Sequence, residues 1–237
     1  MVRLILNKKP KGVQIIEGFP GFGLIGTIVS EFLLDHLETE IIGYIEMDEV
    51  PAMVAVHDGN IIQPISLHYN KKYNLVLVHA INPGKDLEWK LADVLLDLAK
   101  QLSAKQLICL EGVGAPSSKG RVFYLQQNMS ASSLKKITKS CEVLQEGVIV
   151  GVTGALLTKQ TKLPLLALFA EAQGNGPDSN AAAEIITALD VFVGFALDPE
   201  PLHVQAKMFE GKLKGIVKSH DKAQKIKKKK SVLSYVG

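Results

Sequence analysis

A run of glycines and aromatics near the start of the chain, Gly18-Phe19-Pro20-Gly21-Phe22-Gly23-Leu24-Ile25-Gly26, holds the densest chemistry in the sequence. It follows a strand-like stretch, Val13 to Glu17, and opens a long apolar segment from Ile25 to Leu37. Glycines between a strand and a helix allow a sharp turn and the close approach of another group. They also present the first N–H groups of the helix, where the dipole favours an anion. Gly21-x-Gly23-x-x-Gly26 satisfies the dinucleotide fingerprint, and Glu46, twenty residues past Gly26, stands where a ribose-binding acid belongs. Two features oppose a phosphate there. Pro20 removes an N–H donor, and Phe22 puts a ring where the pyrophosphate needs open backbone. A tight strand-to-helix turn, with Phe19, Pro20 and Phe22 packed inward or offered to a partner, uses the same residues without a ligand.

A second set of chemistry-bearing residues falls at the expected ends of strands: Glu46, His79, Glu111 and Glu171, with Asp178 close behind. Open α/β sheets bind ligands beyond their carboxyl ends. A carboxylate–histidine cluster there could hold a metal or act as general acid and base in a hydrolase. Polar residues also return at strand ends simply because the surface begins there. No His-Glu-x-x-His, Gly-x-Ser-x-Gly or Cys-x-x-Cys spacing ties these residues together. The glycine-rich loops 112–120 and 173–177 follow strands, and the first lacks the Gly-Lys-Ser/Thr ending of a phosphate loop. Arg121 fits a surface ion pair. The expectation is a protein without catalytic residues, metal or cofactor, with the dinucleotide enzyme and the metal hydrolase as alternatives.

The end of the chain has a different character. Residues 207–237 carry ten lysines against Glu210 and Asp221, a net +8, which leaves 17 basic and 22 acidic groups, or −5, elsewhere. An acidic body with a basic extension suggests contact outside the core. After Asp198-Pro-Glu-Pro201, the residues Phe209, Leu213, Ile216, His220 and Ala223 recur at heptad-like spacing and predict an amphipathic helix. The adjacent Lys227, Lys228, Lys229 and Lys230 repel one another and favour a solvated tether. Its tip carries Leu233, Tyr235 and Val236, apolar groups suited to docking in a pocket beside a free carboxyl end. Lysines without interleaved aromatics argue against nucleic acid, and the thin apolar face without Trp argues against a membrane surface.

These features sit on a body that alternates strand and helix signals. Strands are predicted at Val13–Gly18, Ile41–Glu46, Asn74–Ala80, Gln106–Glu111, Val148–Val152 and Leu163–Ala170. Asp58-Gly59-Asn60 marks a hairpin between Ala52 and Tyr69. Helices are predicted at Gly23–Leu37, Asp86–Leu102 with Asp86 as cap, Ser132–Lys139, Ala155–Thr161 and Asn180–Phe192 with Asp178 as cap. Near-continuous apolar strands joined through helices imply a three-layer α/β/α core with a largely parallel central sheet, a β-hairpin region and a C-terminal helical extension. The division is a core at 1–197, a linker and amphipathic helix at 198–226, and a basic tail at 227–237. With 237 residues, nearly half of them apolar, the chain can bury a full core. Cys109, within Leu107-Ile-Cys-Leu110, reads as a buried thiol. The first residues show no signal peptide and no run is long enough to span a membrane, so the protein reads as soluble and cytoplasmic.

The glycine turn, the hairpin after Pro51, Gly151-Val-Thr-Gly154-Ala-Leu, and Leu165 to Glu171 followed by Asp178-x-x-Ala181-Ala182 come in an order that resembles the proteasome assembly chaperone 2 family. The resemblance spans roughly residues 13 to 195. It implies a non-enzymatic α/β protein that self-associates and binds proteasome α-subunits or related partners. The tip resembles the hydrophobic–tyrosine–any-residue ending used by proteasome activators and archaeal assembly chaperone homologues. It departs from that ending in two ways: Tyr235 is third from the end, and Ser234 stands where the hydrophobic residue belongs.

Overall fold

Apolar runs without alternation, such as LVLVHA and LLALFAEA, can be buried at every position only in strands covered on both faces. Both are, in Leu75–Ala80 and Leu165–Ala172. The computed structural model describes residues 2–197, apart from positions 51, 58, 82, 85, 115–119, 160 and 173–175, and also position 204. The order is β1 (Val2–Leu6), β2 (Gln14–Gly18), α1 (Ile25–His36), β3 (Glu40–Met47), β4 (Ala55–His57), β5 (Asn60–Ile62), β6 (Ile65–Asn70), β7 (Leu75–Ala80), α2 (Glu88–Gln101), β8 (Gln106–Gly114), β9 (Val122–Gln127), α3 (Ala131–Ile137), β10 (Glu142–Val143), α4 (Gly151–Thr158), β11 (Leu165–Ala172) and α5 (Ser179–Val193).

Among the described residues, nine strands form one sheet in the order β1-β3-β6-β7-β2-β8-β11-β9-β10, while β4 and β5 pair separately as the expected hairpin. The centre, β7-β2-β8-β11, is parallel. The pairs β1–β3, β3–β6, β6–β7 and β11–β9 are antiparallel, and β9–β10 closes the far edge in parallel. Strand alternation sends Ile16 to one face with α1 and α5, and Ile15 to the other with α2. Two apolar cores result, one on each side of the sheet, which makes the three layers. The carboxyl ends of β2, β7, β8 and β11 share one end of the sheet, and there the turns enter α1, α2 and α5.

Several elements differ from expectation. Val148–Val152 is not a strand: Val148 and Val150 are 88% and 74% exposed, and α4 already starts at Gly151. That residue has φ +83, which ends the extended run, so the helix lies four residues before its expected start. Asp86 does not cap α2. It adopts a left-handed φ of 59, and the helix begins behind Leu87 without a side-chain cap. Asp178 does cap α5, accepting from the Ala181 N–H at 3.0 Å. Strands β1 and β9 were not expected. The helical extension at 198–226 and the tail at 227–237 lie outside the described residues, except position 204. Among the described residues no helix is long and apolar enough to cross a membrane.

Candidate functional site

The glycine turn sits at the carboxyl ends of β2 and β8, at the entrance to α1. Its glycines serve close packing. A Cβ on Gly26 would lie 2.7 Å from the Phe19 carbonyl oxygen and 2.9 Å from that of Leu110, so α1 crosses directly against both strand ends. Gly23 takes a left-handed φ of 69 inside a short 3-10 turn, and its carbonyl accepts from the Asp178 N–H at 2.9 Å. Phe19 is buried, whereas Pro20 and Phe22 are partly exposed.

The space where a phosphate would sit is taken by carboxyl groups. Glu17, at 1% exposure, accepts the Phe19 N–H on Oε2 at 3.1 Å. Thr153 Oγ1 lies 3.2 Å from Glu17 Oε1 and 2.9 Å from Glu111 Oε1. A Cβ on Gly21 would fall 2.3 Å from Glu111 Oε2, and one on Gly151 would be 3.8 Å from Glu111 Oε1. Glu111 therefore fills the notch between the turn and the first turn of α4, where an anion would otherwise bind. Burial pushes both carboxyls above the ordinary range, and the charge of Glu17 raises Glu111 further. The Thr153 hydroxyl has one hydrogen to donate, so to bond both oxygens it donates to one carboxyl and accepts from a protonated oxygen of the other. Beside the pair, Cys109 is buried, and burial with the nearby Glu17 pushes its thiol up.

Above this pair lies a cavity of about 220 Å³, walled by Phe19, Phe22, Leu87, Val150, Val152 and Phe169. The other strand-end residues do not join it. Glu46 is on β3, with β6 and β7 between it and β2, and pairs with Arg3 at 2.8 Å. It cannot serve a ribose at the turn. Glu171 accepts from Arg121 Nε at 3.0 Å and Nη2 at 2.5 Å, the ion pair expected of that arginine. His79 is buried against Ser30 Oγ at 2.9 Å and Glu31 Oε1 at 3.1 Å. That row has the residue types of a hydrolase triad. Ser30 is 1% exposed, however, and its hydroxyl reaches the Thr27 carbonyl at 3.0 Å, so it is closed to substrate. Among the described residues no three His, Cys, Asp or Glu are grouped to hold a metal.

Sequence reasoning missed Glu17, Thr153, Ser30 and Glu31. The signal for Glu17 was present: it is a carboxylate at the end of a buried apolar strand, directly before the glycines. The tail candidates Lys227, Lys228, Lys229, Lys230, Leu233, Tyr235 and Val236 lie outside the described residues.

The fold has parallels among solved structures. PbaA of Pyrococcus furiosus, an archaeal homolog of proteasome-assembly chaperone, is 26% identical with a TM-score of 0.81, covering 94% of this chain and 100% of PbaA. PbaB of the same organism, an archaeal proteasome activator, is 21% identical with a TM-score of 0.71, covering 91% and 98%; at that identity the likeness is one of fold. An uncharacterized protein of Methanocaldococcus jannaschii is 25% identical over 208 residues, 87% of this chain and 86% of the relative. The family model of the PAC2 family matches residues 15–217. This chain belongs to the PAC2 family.

Proposed function

We propose that the protein is a non-enzymatic, chaperone-like assembly factor that binds proteasome α-subunits or a related complex as a homo-oligomer with a C-terminal docking tail. The observation that carries this reading is the end-to-end likeness to PbaA, over 94% of this chain and all of that one. The glycine turn supports it from the other side, since Glu17 and Glu111 occupy the place a dinucleotide phosphate would need. Apolar side chains exposed near the same end of the sheet, Trp89, Val148 and Val150, with Val56 and Ile61 on the hairpin, offer contact area for other chains. On this reading residues 1–197 form the body, 198–226 link and self-associate, and 227–237 dock. The protein works in the cytoplasm with protein partners rather than nucleic acid or membrane.

Native mass spectrometry of the full chain, and of a chain ending at Lys230, each mixed with proteasome α-subunits, tests the reading. The expected result is a homo-oligomer that captures α-subunits only with its tail. Failure of both chains to bind would overturn the proteasome assignment.

A further inference from the structure

We propose that the cavity above the Glu17–Glu111 pair binds a primary ammonium group carried on an unbranched aliphatic stem. Its side-chain walls are mainly apolar, from Phe19, Phe22, Leu87, Val150, Val152 and Phe169, which suits a hydrocarbon stem. Among the described residues lining it, the charged side chains are Glu88 and Glu111, and no lysine, arginine or histidine is present. A ligand anion would meet carboxyl groups at the floor and on the rim; a cation meets acceptors.

The floor also selects among cations. Thr153 holds Glu111 Oε1 at 2.9 Å, while Oε2 has no hydrogen-bond partner among the described residues and lies beside Gly21. A guanidinium recognises a carboxylate best through two parallel bonds. With one oxygen taken, the remaining one fits a compact ammonium. The titratable groups around it are Glu17 on β2, Cys109 and Glu111 on β8, and Glu88 on α2. Burial raises both carboxyls and so favours a proton on the Glu17–Glu111 pair. An entering ammonium therefore displaces a proton from the pair to solvent and remains as an ion pair. This inference is independent of the assembly reading.

The test is a methyl-shift titration of the full-length protein, following Val150 and Val152, with n-butylammonium, n-butanol and n-butyrate. Butylammonium should bind at least tenfold more tightly than the other two. Its binding enthalpy at pH 7 should change with the ionisation enthalpy of the buffer, because a proton is released. Glu111→Gln should weaken it at least tenfold and remove the buffer dependence. Val150→Lys, at an exposed position on the wall, should weaken it comparably and keeps the test intact if the first variant folds poorly. A capped Val-Lys-Val peptide that binds more tightly than butylammonium assigns the natural amine to a polypeptide; a weaker one assigns it to a free amine. Equal affinity for butanol, or unchanged affinity in both variants, overturns the proposal.

Discussion

Thr153 joins two carboxyls that solvent would otherwise have to serve. Removing its hydroxyl while keeping its shape, as in Thr153→Val, leaves Glu17 Oε1 and Glu111 Oε1 without their shared partner. Stranding buried acceptors costs about 1–3 kcal/mol, and urea unfolding should show a loss of that size. The pair also sets a pH dependence. Burial raises Glu17 from 4.5 to about 7 and Glu111 to about 8. Between pH 4.5 and those values the folded chain keeps protons that the unfolded chain releases. The stability is thus fully present below about pH 4.5, falls as pH rises through the window, and levels off above about 8. Glu17→Gln should flatten that decline in unfolding midpoints measured from pH 5 to 9, and an undiminished slope would refute it. Little of this was legible in the sequence. Glu111 was visible as a strand-end acid, but its contact with Thr153 joins residues 42 apart through a strand neighbour and a helix start.

Helix α1 shows how an element is placed by what its residues lack. Alanine at Gly26 would gain up to about 1 kcal/mol of helix propensity. It would also drive a Cβ to within 3 Å of the backbone at Phe19 and Leu110. Overpacking against atoms that cannot rotate away costs about 1–3 kcal/mol, so Gly26→Ala should lower the thermal midpoint on balance. The spacing that suggested a phosphate fingerprint is, here, a spacing for close contact between helix and strands. The strands that sequence reasoning found, β2, β3, β7, β8 and β11, are ones whose apolar runs are long or unbroken. Strand β9 escaped because VFYLQQ alternates only weakly and pairs with β11, 38 or more residues later. Val148 to Val152 misled in the opposite direction. Its β-branched residues have strand propensity, yet β11 occupies the place beside β8, and Gly151 turns the chain into α4.

At the scale of the molecule, the parallel centre followed from apolar runs alternating with helices, while the order of nine strands did not. Inserting β2 between β7 and β8, and β11 between β8 and β9, depends on pairings far apart in sequence that no local pattern encodes. The charge division, by contrast, is plain from the sequence: +8 in residues 207–237 against −5 elsewhere. Among the described residues, those of the two cores run no further along the chain than Leu197. If the tail acts as a tether, its lysines should steer encounter rather than hold the complex. Charges at the rim of an interface change association rates and their salt dependence, whereas the docked apolar tip governs dissociation. Replacing Lys227, Lys228, Lys229 and Lys230 with glutamine should slow association with an acidic partner at low salt and leave the thermal midpoint of the protein unchanged. Near 1 M salt, where the Debye length is about 3 Å, the two association rates should converge. Stopped-flow association with α-subunits across a salt series measures this. A change confined to the dissociation rate would place the lysines inside the contact and remove the steering role.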